Sequence, residues 1–535
     1  MESRRKLSDY KPHHYKKNFQ YFDEYEATHR EHQINALLAT QNATKGQVIS
    51  PCGTGKTRVQ IDLHISEMIR LNKEYEYGVF VIASHRLTLN RQLLDQLIEL
   101  AVKCGLPFDV VYVGSMRCDF SNYYSKYHNL GYNSGVSRYL QSTKAMEIEK
   151  FISESRESFR NVIVVSTYDS IACLKNIGTI NIVTFDEAHN TLQDDFTANI
   201  NQVKSNILKE YYFTATRKIA GEDGGMNNKD FYGEILIDVN PRSMLDQGEI
   251  VCPQLHVIDG DDEQTTDASN TEMLVKNTIE AYVKHKALIK QNSANPLELG
   301  AKLLVGCNSI EEMVRIYTSE ALVSFSKDMN AFAISSDGCY YNGVKCGKEQ
   351  FFVHLNDLSD AEDAIIFHVD MLTEGMDLPS ITGVMPLRNL GLTKLVQLIG
   401  RALRLHKTDR ANLYSGKIVA GQYKDYIKPY GYLIIPRHLT SINENAQMIK
   451  NAKVFYSEYG TKPEELIIQE KFISHQPKSL ESMIPPTFKA KRDYDLTHTE
   501  STLVEEVNLS LLNEDLINMN ASDQIKYFER MFDEQ

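Results

Sequence analysis

Ser50-Pro51-Cys52-Gly53-Thr54-Gly55-Lys56-Thr57 is the stretch whose reading decides the fold. An apolar approach, Gln47-Val48-Ile49, leads into it, and a helical pattern runs from Arg58 to Arg70 beyond it. The order is strand, glycine loop, helix. Gly53 and Gly55 let backbone N–H groups wrap a phosphate, Lys56 supplies a point charge, and the Thr57 hydroxyl can reach Mg²⁺. The helix N-terminus adds the positive end of a dipole. Ser50 departs from the usual pattern, standing where the first glycine normally falls.

A loop of this kind needs a partner acid. An apolar run at 180–185 leads into Asp186-Glu187-Ala188-His189. Two adjacent carboxylates at the C-terminal end of a buried parallel strand lie on the side where α/β sheets bind ligands. Asp186 can hold Mg²⁺ directly or through water, and Glu187 can orient and deprotonate an attacking water. The blander reading is a surface acidic turn capping the next helix. Tyr211-Tyr212-Phe213 is a further strand, ending in Thr214-Ala215-Thr216, short hydroxyls suited to a hydrogen-bond relay. Between loop and acids lie strands at 78–83 (ending in Ser84-His85-Arg86), 108–113 and 162–165 (ending in Ser166-Thr167). A charged helix is expected over 142–159, and residues 117–141, rich in Tyr, Ser, Asn and Gly without a clear period, read as an insertion or loop. Ahead of the loop, residues 28–40 have apolar Ile34, Leu37 and Leu38 at helical spacing. Arg30 and Gln33 share a face there, and a glutamine amide can pair with an adenine edge. Strand–helix alternation across 47–240 predicts a parallel, doubly wound sheet.

The rhythm repeats after an acidic, polar loop at 259–272. Helices are expected near 271–291 and 309–323. Strands are expected at 302–306, 331–335, 364–369 and 383–387, and residues 337–347 form a Gly/Tyr/Asn-rich excursion. Thr373-Glu-Gly375-Met-Asp377-Leu-Pro379 follows the third strand. A helix over 393–404 places Gln397, Gly400, Arg401 and Arg404 on one face. A mid-helix glycine costs about 1 kcal/mol against alanine, which points to a close approach. The alternative is a solvated basic face. A strand at 430–435 is expected to close the second sheet. Residues 1–24 form a basic arm, read as a solvated tail, with contact to nucleic acid as the sharper alternative. Residues 501–535 are acidic and helical in pattern, read as a helix packing on the body, with docking of a protein partner as the alternative.

The 535 residues leave room for two to four domains, and 42% hydrophobic with 24% charged content is that of a globular protein. No apolar run approaches the roughly 18 residues needed to span a bilayer, and Met1 to Lys6 are polar with no apolar stretch behind them. The eight cysteines are scattered, which reads as reduced thiols in an intracellular, cytoplasm-like compartment, with nucleus or virion as further settings. Cys339 and Cys346 lie close, but no His or Cys pair completes a zinc set. The net charge of −13 argues against a protein coated in basic surface and leaves room for a local basic groove.

These motifs, in this order, resemble a superfamily 2 DEAH-type helicase or translocase over about residues 25–440. Arg30 and Gln33 resemble the adenine-reading Q motif, Ser50–Thr57 motif I, Ser84-His85-Arg86 motif Ia, and Ser166-Thr167 the motif that grips the phosphate backbone. Asp186–His189 is a DEAH form of motif II, and Thr214–Thr216 resembles motif III. Thr373–Pro379 resembles motif V, and Gln397–Arg404 fits QxxGRxxR of motif VI. The resemblance implies an α/β chain of two tandem RecA-like parallel-sheet domains, 25–250 for ATP binding and 251–440 for the helicase C-terminal half, with a mostly helical extension at 441–535. It implies ATP and Mg²⁺ as cofactors, with Lys56 on the β/γ-phosphates, Thr57 and Asp186 on the metal, and Glu187 as general base. Arg401 and Arg404 would be arginine fingers, Gln397 would touch the γ-phosphate or its water, Asp377 the ribose, and Gly375 the junction between nucleotide and strand. His189, Thr214 and Thr216 would couple hydrolysis to domain movement, and Arg86, Thr167 and Thr373 would bear on nucleic-acid phosphates. ATP would close the two domains on each other and hydrolysis would release them. Thr-Ala-Thr in motif III and Gln-Leu-Ile-Gly in motif VI make the chain look less like DEAD-box RNA helicases. They look more like the helicase subunits of restriction enzymes and virus- or phage-encoded DNA helicases, so DNA is the expected partner. An RNA helicase, a duplex translocase without strand separation, and a nucleic-acid-binding subunit with weak catalysis are the alternatives. No second motif set for a nuclease stands in the sequence, and no membrane partner is expected.

Overall fold

The structure is a computed structural model. It describes residues 28–114, 136–219, 224–258, 271–369 and 380–436, with isolated positions at 22, 25, 372, 450–452, 455–456, 459 and 504–505. The chain divides into two compact units, one of residues 1–50 and 55–239, the other of residues 51–54 and 240–535.

The first unit is built on one sheet whose strand pairs are all parallel. Its strands are β1 (Lys45–Ile49), β2 (Val79–Ser84), β3 (Phe108–Val113), β4 (Val136–Gln141), β5 (Asn161–Thr167), β6 (Ile182–Asp186), β7 (Glu210–Thr214) and β8 (Glu234–Asp238). The order across the sheet is β4-β3-β5-β2-β6-β7-β1-β8. Helices α1 (Glu31–Gln41), α2 (Lys56–Lys73) and α3 (Leu87–Lys103) precede β1, β2 and β3, and α4 (Ala145–Glu157) precedes β5. Because helices cover both faces, the inner strands read as unbroken apolar runs instead of alternating. Along β2, Phe80 and Ile82 enter the core that holds Val59, Ile65 and Leu97, whereas Val79, Val81 and Ala83 enter the opposite core with Ile148 and Ile152.

Val136–Gln141 corrects the loop expected through 141: it is an edge strand paired with β3, with a register irregularity between Phe108 and Val110. Its alternation was diluted by Ser137 and Arg138, and Arg138 has a structural task. Asp109, fully buried in β3, accepts hydrogen bonds from Arg160 Nε (2.7 Å), Ser155 Oγ (2.8 Å) and Arg138 Nε and Nη2 (3.2 Å each). A buried carboxylate is tolerable only with such partners.

The second unit also carries an eight-stranded sheet, of β9 (Cys252–Ile258), β10 (Lys302–Gly306), β11 (Asn330–Ser335), β12 (Gly338–Tyr341), β13 (Val344–Cys346), β14 (Ala364–His368), β15 (Gly383–Pro386) and β16 (Tyr430–Pro436), ordered β9-β16-β15-β10-β14-β11-β12-β13. Six strands pair in parallel, while β12 and β13 add an antiparallel hairpin at one edge. The expected excursion at 337–347 is this hairpin. Asn342 (φ 46°) and Gly343 (φ 80°) make its two-residue turn, where positive φ at both positions matches strand twist. The helix expected over 309–323 is two helices, α6 (Ile310–Tyr317) after α5 (Thr271–Asn292), and α7 (Glu320–Phe325), because Ser319 accepts from Leu322 N–H (3.3 Å) as a fresh N-cap. A further helix, α8 (Lys348–Asn356), and the strands β8 and β9 had no place in the sequence reading. Helix α9 spans Leu392–Ala402, and Arg404 lies beyond its end, which corrects the 393–404 helix. The helical extension expected at 441–535 lies almost wholly outside the described residues. No described helix is long and apolar enough to cross a membrane.

Three buried histidines make the fold acid-sensitive. His64 Nε2 meets Thr184 Oγ1 at 2.9 Å and His285 Nε2 meets Thr382 Oγ1 at 2.8 Å. Burial pushes His64 and His285 down to about 3 and His256 to about 4. Each folded value lies below the ordinary 6.5, so the unfolded chain takes up the proton first. The stability these groups supply is complete above pH 6.5 and is lost as pH falls toward 3. The urea midpoint is therefore expected to fall steadily between pH 6.5 and 4, and His64→Gln to flatten the part of that fall belonging to the first unit.

Candidate active site

The register of the first sheet brings the sequence motifs to one edge. Ile49 at the end of β1 pairs with Thr214 at the end of β7, and Asp186 at the end of β6 pairs with Phe213 on one side and Ser84 on the other, which in turn pairs with Thr167. Five separate loops therefore leave the sheet side by side at its C-terminal edge, where parallel sheets bind ligands.

The glycine loop leaves β1 with Ser50 N–H bonded to Thr214 O (3.0 Å). Gly53 (φ 85°) and Gly55 (φ 89°) take left-handed backbone that a side chain would strain, and Gly55 caps α2. A Cβ on Gly55 would also stand 2.4 Å from Gln33 Nε2. Thr54 Oγ1 ties back to Pro51 O (2.7 Å), and Lys56 Nζ donates to Ser50 O (3.1 Å), so the lysine lies across its own loop. Thr57 is the second residue of α2, next to Lys56. Gln33, in α1, accepts from Arg30 N–H through Oε1 (3.0 Å) and reaches Gly55 O through Nε2 (3.5 Å). The main chain fixes this amide against the glycine loop.

Asp186 and Glu187 are both buried. Gln60 Nε2 donates to Asp186 Oδ1 (2.7 Å), and Tyr168 O–H donates to the Asp186 main-chain oxygen (2.5 Å). Burial raises the Asp186 carboxyl above its ordinary range, with the Lys56 charge, the Gln60 hydrogen bond and His85 opposing the rise. Glu187 turns the chain in left-handed backbone (φ 52°), which for a residue with a Cβ costs about 1–2 kcal/mol. Strain of this kind at a carboxylate is an argument for a task beyond packing.

His189 links motif II to motif III. Thr214 Oγ1 donates to Thr216 O (2.6 Å), so the 2.9 Å contact with His189 Nδ1 requires the imidazole to donate from Nδ1. That nitrogen also lies 3.6 Å from Glu187 Oε2. Thr216 returns its N–H to Thr214 Oγ1 (3.2 Å), and these three residues form one relay. Asn190 Nδ2 reaches His85 Nδ1 (3.3 Å), joining motif Ia to motif II beside Arg86. Gln60 and Asn190 had no place in the sequence reading, and His85 and Tyr168 were given no role in it. Gln60 had a visible signal: a polar residue one turn after Lys56, between the core residues Val59 and Ile61.

In the second unit, Gln397, Gly400 and Arg401 lie on α9, and Arg404 stands in the turn that follows. That turn is pinned by Val251 N–H to Leu403 O (2.9 Å) and by Lys428 Nζ to Arg404 O (2.7 Å). Asp409 accepts from Ile427 and Lys428 N–H (2.8 Å each). Burial, with Arg404 adding to it, pushes Lys428 down to about 7. Thr373, Gly375 and Asp377 lie outside the described residues. Among the described residues no group of three or more His, Cys, Asp or Glu is arranged around a common metal position. Mg²⁺ needs no such cage, since one or two protein oxygens and substrate phosphates suffice. The Thr57 hydroxyl and the Asp186 carboxylate fit that need, and Gln60 Oε1, buried beside Asp186, has no hydrogen-bond partner among the described residues.

A parallel sheet with a glycine loop, an Asp-Glu-Ala-His turn and a Thr-Ala-Thr relay at one edge defines a superfamily 2 helicase-like domain, and the first unit carries one. Residues 26–219 match the family model described as Type III restriction enzyme, res subunit. Among solved structures, the chain is similar to the ATP-dependent Type ISP restriction-modification enzyme LlaBIII bound to DNA, at a TM-score of 0.51 and 18% identity, over 79% of this chain and 29% of that one. The chain thus spans under a third of that enzyme's length. Helicase Lhr of Mycobacterium smegmatis, bound to ssDNA and AMP-PNP, matches at a TM-score of 0.47 and 12% identity over 82% of this chain and 50% of that one. Dbp5 of S. cerevisiae, bound to RNA and ADP BeF3, matches at 0.41 and 13% over 79% and 91%. At such identities the likeness is one of fold: two tandem RecA-like units. No curated protein sequence matches the chain.

Proposed function

We propose that the protein is a nucleic-acid-dependent ATPase that moves along or unwinds DNA. The observation that carries this reading is the single sheet edge holding Lys56, Asp186, Glu187 and the His189–Thr214 relay. Lys56 and the loop N–H groups bind the β/γ-phosphates, Thr57 and Asp186 hold Mg²⁺, and Glu187 orients the attacking water. Bound Mg²⁺ would neutralise charge on the transferred phosphoryl group. His189 donates to Thr214 and lies beside Glu187, so a change at the carboxylate is felt at the end of β7. Arg30 and Gln33, the latter tied to Gly55 O, would read the adenine. By the motif resemblance, Gln397 would touch the γ-phosphate or its water, Arg401 and Arg404 would act as fingers, and Gly375 and Asp377 would belong to the nucleotide set. Arg86, Thr167 and Thr373 bear on the strand. We read residues 25–250 and 251–440 as the two motor domains, and residues 441–535 as a packing or partner-docking extension. DNA is favoured over RNA by the match to the restriction-enzyme family and by the likeness to the DNA-bound LlaBIII.

An ATPase panel tests the reading. Hydrolysis is expected to rise with single- or double-stranded DNA and to lose that stimulation as salt increases, since backbone contacts release counterions. Stimulation by no nucleic acid overturns the assignment, and stronger stimulation by RNA than DNA moves the substrate to RNA. Strand displacement set beside triplex displacement separates unwinding from translocation along duplex.

A further inference from the structure

Gln60 belongs to neither the phosphate loop nor the acidic turn, yet it joins them. It lies on α2 one turn beyond Lys56, its side chain is wholly buried, and Nε2 donates to Asp186 Oδ1 at 2.7 Å. Its Oε1 is buried with no hydrogen-bond partner among the described residues. An interior carbonyl left in that state is costly. A leucine or methionine of similar volume would fill the same space without that cost, so packing alone does not account for an amide here.

We propose that Gln60 is a positioning residue for the divalent cation held at Asp186, its Nε2 fixing Oδ1 and its Oε1 accepting from water in the cation's shell. The inference rests on reading Asp186 as the metal-bearing acid. Residues that orient a metal ligand in this way typically change metal affinity about 10–100-fold when removed.

The test is the affinity of the full chain for a fluorescent ADP, measured in Mg²⁺ and in EDTA at one pH. In the natural chain Mg²⁺ is expected to tighten binding. Gln60→Leu is expected to leave the EDTA affinity unchanged and to cut the Mg²⁺-linked gain about tenfold. Gln60→Met, of similar volume and without a hydrogen-bonding amide, is expected to show the same loss. It carries the test alone if the leucine variant does not fold. A full Mg²⁺-linked gain in either variant overturns the inference. So does an equal loss in Mg²⁺ and EDTA, which is the signature of a merely structural residue. If Mg²⁺ gives the natural chain no gain, the metal reading of Asp186 fails, and this inference falls with it.

Discussion

Glu187→Gln is expected to lower ATP turnover by about 10²–10⁴-fold, the usual worth of a positioned general base, while leaving ATP binding in place. The substitution keeps the volume of a buried side chain and the left-handed turn, and removes only the ability to take a proton. His189 Nδ1 can still donate to Thr214, so the relay survives. Lys56→Ala should fail differently. It removes the ammonium that bridges the loop at Ser50 O and neutralises phosphate, so nucleotide affinity falls together with turnover. Equilibrium binding of a fluorescent nucleotide beside steady-state hydrolysis separates the two. DNA-stimulated hydrolysis surviving in either variant would remove the assignment of this edge as the catalytic one.

Asp109→Ala is expected to destabilise the first unit by about 3 kcal/mol, the lower end for breaking a buried ion pair. The lower end applies because Arg138 is 36% exposed and can turn toward water, whereas Arg160, at 19%, is less free to do so. Ser155 loses its acceptor on Asp109 but keeps its bond to Phe151 O (2.8 Å). A urea titration of the full chain followed by a probe in the first unit measures the loss. Asp109→Asn keeps an acceptor for Ser155 and should cost less. An unchanged midpoint in the alanine variant would mean that the carboxylate contributes nothing net where it stands.

The sheet edge of the first unit was legible because its motif residues are contiguous in sequence. Residues 50–57 and 186–189 are contiguous, and apolar runs such as 79–83 and 162–165 end where the motif residues begin. What escaped were elements defined by partners far along the chain. Strand β4 carries Arg138 where periodicity calls for an apolar residue, and only Asp109, on the neighbouring strand, explains it. Strand β8 is largely solvent-facing and owes its existence to the free edge of β1. The hairpin at 338–346 looked irregular because its register is set by the Asn342-Gly343 turn and not by hydrophobic alternation. At the site, the candidate residues follow from motif spacing, while the groups that hold them do not. Gln60 and Tyr168 act through single hydrogen bonds to Asp186, which no linear pattern announces.

The position of β1 has a consequence for the order in which the molecule can be made. Lys45–Ile49 leaves the ribosome well before its two neighbours, Glu210–Thr214 and Glu234–Asp238. Until those segments exist, the strand that launches the glycine loop has no lateral hydrogen bonds, and long-range parallel pairing is slow to form even once they do. A nascent chain ending before Thr214 therefore has the loop's residues without its frame, and ATP has nothing organised to grip. Nucleotide can favour the folded state only after most of the first unit has been synthesised, so during the preceding interval the exposed apolar strands must be shielded by something other than the ligand.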